Sequence, residues 1–81
     1  MMKKTYKNAE IYGKPNCPHC ENAKHLCRKE GIEYLYKELG TDFDDQYMLD
    51  KFPNARTFPQ IIVDGNHVGG YDDLSKLIGD T

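Results

Sequence analysis

Apolar and polar residues alternate along the chain in blocks whose periods predict four strands and three helices. Short runs rich in β-branched and aromatic residues indicate the strands, and apolar residues three or four positions apart indicate the helices. The predicted strands are 9–13, 32–37, 60–64 and 67–68, and the predicted helices are 18–29, 43–51 and 72–78. The resulting order is βαβαββα, in which the first strand–helix–strand unit favours a parallel pair of strands. The polar residues 1–8 are expected to fray.

Turn and cap residues separate these blocks. Gly40 breaks the pattern after the second strand, and Thr41 or Asp42 is expected to cap the second helix. The signal Asp64-Gly65-Asn66 predicts a hairpin between the last two strands. Cys27 lies on the apolar face of the first helix and is expected to pack as a small hydrophobic residue. The second helix is expected to present one apolar face made of Phe43, Tyr47, Met48 and Phe52.

Cys17 and Cys20 stand at the predicted start of the first helix. Pro18 suits the first helical position, because its φ is already helical and its missing N–H would have no partner there. Cys17 is then the N-cap, where unpaired N–H groups and the helix dipole favour a thiolate. Its pKa is therefore expected to lie below the ordinary value of about 8.5, and Lys14 adds positive charge. Cys20 is one turn further on the same side, so the spacing predicts a dithiol redox site with two unequal thiols.

The same cysteine pair also permits a different class of function, a binding module for zinc or an iron–sulfur cluster. Zinc needs two further ligands, and the nearby candidates on a single straight helix, His19, His25 and Cys27, converge poorly. No metal is therefore expected. His19 is expected to be exposed, either as a protonated neighbour that stabilises the Cys17 thiolate or as a neutral surface residue.

Two further segments carry candidate chemistry, and each also has an ordinary structural explanation. Thr57-Phe58-Pro59 precedes the third strand, where a proline at the first strand residue is permitted on backbone grounds alone. Gly69-Gly70-Tyr71-Asp72-Asp73 leads into the last helix. This segment is explained equally by an Asp cap after a glycine turn and by a helix start whose N–H groups bind a carboxylate.

Length, composition and charge narrow the classes of function. The 81 residues predict one domain spanning 1–81. The net charge is −2, from 11 basic and 13 acidic residues without a basic block, so nucleic acid is not an expected partner. The apolar runs fall short of the ~18 residues of a membrane span, and no signal-peptide pattern is visible. We therefore expect a cytoplasmic monomer without a membrane partner, and in that reducing compartment Cys-x-x-Cys indicates catalysis or metal binding.

Taken together, three motifs resemble those of the dithiol glutaredoxins, in the thioredoxin superfamily. They are Cys17-Pro18-His19-Cys20, Ala55-Arg56-Thr57-Phe58-Pro59-Gln60-Ile61 and Gly69-Gly70-Tyr71-Asp72-Asp73-Leu74. The resemblance covers about residues 9–79 and implies an α/β thioredoxin-like fold, with a four-stranded mixed sheet flanked by helices. It also implies an enzyme that reduces protein disulfides and glutathione mixed disulfides with glutathione. Some members supply ribonucleotide reductase, and some short relatives take electrons from thioredoxin reductase, so the electron source stays open.

The resemblance further implies roles for individual residues toward a disulfide and toward glutathione. Cys17 would be the nucleophile and Cys20 the resolving thiol. Thr57 and Phe58, before a cis Pro59, would pair with the backbone of glutathione.

The two ends of glutathione would be held elsewhere in the same site. Gly70, Tyr71 and Asp72 would offer backbone N–H groups to its γ-glutamyl carboxylate, and Asp73 would pair with its ammonium. The remaining residues assigned to the site are the two cations expected to face the glycine carboxylate, Lys14 and Arg56, and the residue between the cysteines, His19. Tyrosine is usual where this chain has His19, and smaller residues are frequent where it has Phe58 and Tyr71. The redox potential and the protein partner therefore stay open.

Overall fold

The computed structural model describes residues 6–79, which form four strands and three helices in the predicted order. The strands are β1 (Asn8–Gly13), β2 (Glu33–Glu38), β3 (Gln60–Val63) and β4 (Asn66–Gly69), and the helices are α1 (Pro18–Lys29), α2 (Asp45–Lys51) and α3 (Tyr71–Ile78). The longest of these helices has 12 residues, and none of the helices described is long and apolar enough to cross a membrane. This arrangement confirms the predicted α/β class.

The strands form one mixed sheet in the order β2-β1-β3-β4. β1 runs parallel to β2, as the strand–helix–strand unit predicted, and antiparallel to β3, which in turn pairs antiparallel with β4. The register sets Tyr12 opposite Gln60, and Ile61 opposite Gly69. The end of β1, the beginning of β3 and the end of β4 therefore lie side by side at the same end of the sheet.

The two faces of the sheet carry separate apolar cores, because side chains alternate along a strand. On one face, α1 and α3 pack against the sheet. The buried residues of that core are Ala9, Ile11, Ala23, Leu26, Cys27, Ile32, Ile61, Val63, Leu74 and Ile78. On the other face, the ring of Tyr12 makes edge contacts with Phe43 and Phe52, at centroid distances of 5.4 and 5.3 Å. Tyr47 and Met48 of α2 pack against this second cluster, as predicted, whereas Phe43 and Phe52, predicted on the same helical face, lie just outside the helix.

The second helix begins later than predicted, and the expected cap was wrong. Its N-cap is Asp44, whose carboxylate accepts the N–H of the third helical residue at 2.8 Å. Thr41 and Asp42 precede that point, and Asp42 instead accepts the Glu38 N–H at 2.8 Å, which closes the turn after β2. The reason is tertiary: Phe43 is buried in the second cluster and forms an isolated bridge, so the chain cannot be helical there.

The amino-terminal end of β1 is held by the hairpin at the far end of β3. The Asp64 carboxylate accepts N–H groups from Lys7 at 3.2 Å and from Asn8 at 3.0 Å, and the Asp64 N–H donates to the Asn8 carbonyl at 3.0 Å. Tyr6 packs against the first core. The expectation of fraying was therefore wrong for residues 6–8, while residues 1–5 lie outside the described part.

Cys27 lies in the first core with no exposed surface. Its thiol is surrounded by apolar residues, and burial raises the pKa of Cys27 to about 11 because a thiolate would be poorly solvated there. This confirms the prediction that Cys27 packs as a small hydrophobic residue.

We expect Cys27 to be inert toward thiol reagents in the folded protein. At pH 8 iodoacetamide should modify Cys17 rapidly in the reduced protein, and it should modify Cys27 only in denaturant, because the buried Cys27 thiol is both protonated and inaccessible. Mass spectrometry of the alkylated protein before and after unfolding measures this. Rapid modification of Cys27 in the native protein would show that the core opens on that timescale.

Candidate active site

The cysteine pair lies at the beginning of α1 in the geometry that the sequence predicted. Cys17 is the N-cap, with φ −120° and ψ 102°, and Pro18 occupies the first helical position. Cys17 and Cys20 form a disulfide, with Cα atoms 5.2 Å apart. The Cys20 N–H donates to Cys17 Sγ at 3.2 Å. The sulfur therefore takes the place of the side-chain oxygen in an ordinary N-cap, at the positive end of the helix dipole.

The two cysteines differ in their access to solvent. Cys17 keeps 8% of its surface exposed, whereas Cys20 has 0%. An incoming disulfide can therefore reach Cys17 but not Cys20. This is the order of access that the predicted roles of attacking and resolving thiol require.

The loop before Cys17 turns through Asn16, a residue that the sequence analysis did not single out. Asn16 has a φ of +56°, a conformation that asparagine tolerates better than most residues. Lys14, in the same loop, holds its ammonium 5.6 Å from the ring centroid of Phe58, within cation–π range. The loop thus brings a positive charge beside the segment that precedes β3.

A groove of about 280 Å³ lies beside the start of α1 and joins the three motifs identified in the sequence. Its lining residues are His19, Thr57, Phe58, Pro59, Gly70, Tyr71, Asp72 and Asp73. His19 is exposed, as expected, and its ring stacks on that of Tyr71 at a centroid distance of 6.4 Å. The two side chains that depart from the usual family pattern at positions 19 and 71 are therefore in contact with each other.

The segment before β3 is tied to β4 by a polar pair that the sequence analysis missed. The Phe58–Pro59 peptide is cis, as the resemblance implied. The Gln60 side chain, 5% exposed, donates its amide N–H to the Thr57 carbonyl at 3.0 Å and accepts from His67 Nε2 at 2.8 Å. The sequence offered one indication of this pair, namely a polar residue, Gln60, at the start of an otherwise apolar strand. Its partner His67, in β4, could not be predicted from that indication.

The turn into α3 differs in detail from the prediction. Gly70 is the N-cap and the helix begins at Tyr71, one residue before the predicted Asp72. Asp73 accepts the Gly70 N–H at 3.1 Å, so this N–H is not free for a ligand, contrary to the role expected for Gly70. Gly69 has a φ of +125°, and a side chain there would collide with the Asp73 carboxylate. The N–H groups of Tyr71 and Asp72 belong to the first helical turn and have no acceptor within the helix.

Arg56, the second predicted cation, does not line the groove. It is exposed and borders a separate depression of about 260 Å³, which shares Thr57 and Phe58 with the groove. The structure therefore places Arg56 next to the site, and it places Lys14 against the Phe58 side chain.

Metal ligands do not gather around the cysteine pair. Within residues 6–79 no group of three or more His, Cys, Asp and Glu side chains is arranged to hold a metal ion. His25 is exposed on α1, while Cys27 lies in the core.

Gly13 ends β1 directly against Cys20. A Cβ at this position would lie 2.8 Å from Cys20 Sγ and would also collide with the Tyr36 hydroxyl. From the sequence, Gly13 was predicted only as part of a loop signal, and Tyr36 was not predicted to be part of the site. A glycine at a strand end can mark the close approach of another segment, but only the fold shows that this segment is the resolving cysteine.

Comparisons with known proteins agree with this geometry. A family model described as glutaredoxin matches residues 9–68. Glutaredoxin 3 of Escherichia coli (strain K12) is 36% identical over 70 residues, which are 86% of this chain and 84% of that protein.

Two solved structures are similar to the whole fold. The reduced glutaredoxin of Escherichia coli has a TM-score of 0.71 at 27% identity, covering 91% of this chain and 95% of that chain. A buckwheat glutaredoxin–glutathione complex has a TM-score of 0.72 at 27% identity, covering 89% of this chain and 70% of that chain. With its four-stranded mixed sheet and its cysteine pair at a helix start, the chain belongs to the glutaredoxin family and is a thiol–disulfide oxidoreductase.

Proposed function

We propose that this oxidoreductase uses glutathione to reduce protein disulfides and glutathione mixed disulfides. The observation that carries the proposal is the groove, which runs from His19, beside the reactive cysteine, to the first turn of α3. Glutathione presents a thiol near its middle and a carboxylate at each end. A groove with a cysteine nearby and a helix start at its far end matches that arrangement. The buckwheat relative, which was solved as a glutathione complex, supports the same ligand.

The first turn of α3 is the proposed site of the γ-glutamyl end. The Tyr71 and Asp72 N–H groups would bind the carboxylate, favoured by the helix dipole. Gly70 acts as the cap, because Asp73 already accepts its N–H. The Asp73 carboxylate would also accept a hydrogen bond from the glutathione ammonium.

The remainder of glutathione would lie along the segment before β3. The backbone of Thr57 and Phe58 would pair with the cysteinyl residue in a strand-like manner. Lys14, which already lies against Phe58, is the cation proposed for the glycine carboxylate. Arg56 borders the neighbouring depression and would add positive charge at longer range.

The proposed reaction proceeds by two thiol–disulfide exchanges. The Cys17 thiolate attacks a target disulfide, so that a Cys17–target bond forms and the first target sulfur leaves as a thiolate. Cys20 then attacks Cys17 Sγ, which forms the intramolecular disulfide and releases the second target sulfur as a thiolate. Two glutathione molecules reduce that disulfide and leave as glutathione disulfide. We place this cycle in the cytoplasm, with the protein as a monomer and ribonucleotide reductase as one candidate substrate proposed from family membership.

Serine substitutions should separate the two thiols. Cys17→Ser should reduce turnover to the uncatalysed rate, because the nucleophile is lost. Cys20→Ser should keep most of the activity on glutathione mixed disulfides, which need only one thiol, and should lose activity on protein disulfides. Steady-state assays with a glutathionylated peptide and with insulin measure both, and Cys27→Ala is the matched control. Equal losses in the two serine variants on both substrates would contradict the assigned roles.

The electron source can be determined directly. We expect glutathione with glutathione reductase to sustain NADPH oxidation, and thioredoxin reductase alone not to do so. The measurement compares NADPH consumption in the two coupled systems at equal enzyme concentration. Faster turnover with thioredoxin reductase would reassign the protein to the redoxins that use that enzyme.

The glutathione site itself can be tested in the same assay by removing one N–H group. Tyr71→Pro deletes the N–H of the first helical residue, where proline is tolerated, and the preceding Gly70 is already extended. Compared with Tyr71→Ala, which keeps the N–H, it should raise the KM for glutathione about tenfold, since a hydrogen bond to a charged group contributes roughly 1.5–3 kcal/mol. Identical KM values in the two variants would exclude the proposed carboxylate site.

The state of the Cys17 sulfur can be tested by its alkylation rate. If the helix start and Lys14 stabilise the thiolate, the rate should titrate with a midpoint below about pH 8.5. The sign follows from the charge: a lowered pKa leaves more thiolate at neutral pH, so the rate falls only on acidification through that pKa. Iodoacetamide labelling of Cys20→Ser across pH 4–10 provides the curve. A midpoint at or above 8.5 would show that the helix end has no effect.

A further inference from the structure

We propose that Tyr36 is a positioning residue for the resolving cysteine, whose hydroxyl donates a hydrogen bond to Cys20 Sγ when that sulfur becomes the attacking thiolate. The inference rests on the resolving role of Cys20 proposed above. Its geometric basis is Gly13, since the space that a side chain there would occupy is bordered by both Cys20 Sγ and the Tyr36 hydroxyl. The two groups are therefore neighbours across the end of β1.

Cys20 needs such a donor because it is buried. With 0% of its surface exposed, a Cys20 thiolate would have no water around it, and an unsolvated anion is costly unless a hydrogen bond compensates. The Cys20 N–H does not serve, because it points to Cys17 Sγ. Tyr36 brings its hydroxyl to the space beside Gly13 that this sulfur also borders.

In the disulfide form the Tyr36 hydroxyl has a weak partner that it can exchange. It donates to the Lys14 carbonyl at 3.5 Å, a long hydrogen bond. Reduction separates Cys20 Sγ from Cys17 and supplies a stronger, charged acceptor. Burial also raises the pKa of Tyr36, so the hydroxyl keeps its proton at neutral pH and acts as a donor.

The charged groups that face Tyr36 are one ammonium, of Lys24, and two carboxylates, of Glu21 and Glu38. Lys24, one turn beyond Cys20 on α1, holds its ammonium 4.1 Å from the Tyr36 ring centroid. Glu21 anchors that ammonium at 2.8 Å, and Glu38 of β2 also acts on the Tyr36 hydroxyl. Lys24 thus packs on the Tyr36 ring and helps to fix its position, while the two carboxylates offset its charge.

The step that Tyr36 would assist is the second exchange. The Cys20 thiol gives up its proton, which the departing target thiolate takes up. The Cys20 sulfur attacks Cys17 Sγ, and the Cys17–Cys20 bond forms as the Cys17–target bond breaks. The target sulfur leaves with the electron pair of the broken bond. The cysteine pair is oxidised and the target is reduced. The hydroxyl would raise the population of attacking thiolate without taking part in the first exchange.

Ellman's reagent resolves the two exchanges without requiring glutathione. Cys17 attacks the reagent and releases one thionitrobenzoate in a phase whose rate depends on reagent concentration. Cys20 then releases the second in a phase whose rate does not. Stopped-flow absorbance on the reduced protein should show the first phase unchanged in Tyr36→Phe, and the second slowed about tenfold or more, the effect of one hydrogen bond to a charged group. The pH midpoint of the second phase should move upward.

The matched control is Tyr34→Phe. Tyr34 lies on the same strand and also carries a cation over its ring, but its hydroxyl binds Arg28 at 2.6 Å, away from the cysteines. Both phases should be unchanged in this variant.

Three outcomes would overturn the inference. An unchanged second phase in Tyr36→Phe would show that the hydroxyl has no role, and equal slowing of both phases would indicate a general structural effect. Release of a single thionitrobenzoate by the wild-type protein would instead remove the resolving role of Cys20 and with it this inference. The serine variants described above distinguish that last failure from the first two.

Discussion

The hydrogen bond from the Cys20 N–H to Cys17 Sγ is the interaction on which the active site depends. It exists because Pro18 starts the helix where a side-chain cap is needed, and the capping atom is a sulfur. The bond places the reactive atom at the positive end of α1 and turns the second cysteine inward. This capping arrangement therefore underlies both the reactivity proposed for Cys17 and the unequal exposure of the two cysteines. The rest of the fold brings the groove to this helix start.

The register of the sheet determines what surrounds that helix start. Tyr12 pairs with Gln60, and Ile61 pairs with Gly69. The segment before β3 and the turn into α3 therefore lie at the same end of the sheet as the loop before Cys17. A slip of one residue in this register would exchange the two faces of β3, moving Ile61 out of the first core. Burial of Ile61 and Val63 therefore also holds the groove in place.

The two sides of the cysteine pair have different chemical surroundings. On the outer side the groove offers the N–H groups of α3 and the ring pair His19–Tyr71. On the inner side Cys20 is closed off by Gly13 and Tyr36, without solvent. In the proposed cycle the first exchange would take place at Cys17, which a substrate can reach, and the second would begin from the buried Cys20 sulfur. A buried resolving thiol is protected from wrong partners, but its thiolate needs a donor from the protein.

Local sequence determined the elements whose signals lie within a few residues. Pro18 was enough to predict the start of α1, the helical spacing of its apolar residues predicted its end, and Asp64-Gly65-Asn66 predicted the hairpin. The start of α3 was predicted one residue late because a local cap, the Gly70 N–H donating to Asp73, was not recognised. The start of α2 was predicted wrongly because burial of Phe43 against Tyr12 of β1 decided it. The pairings of Gly13 with Tyr36 and Gln60 with His67 were inaccessible for the same reason. Helix caps and turns are encoded by neighbours along the chain, whereas these contacts exist only once the sheet register has brought distant residues together.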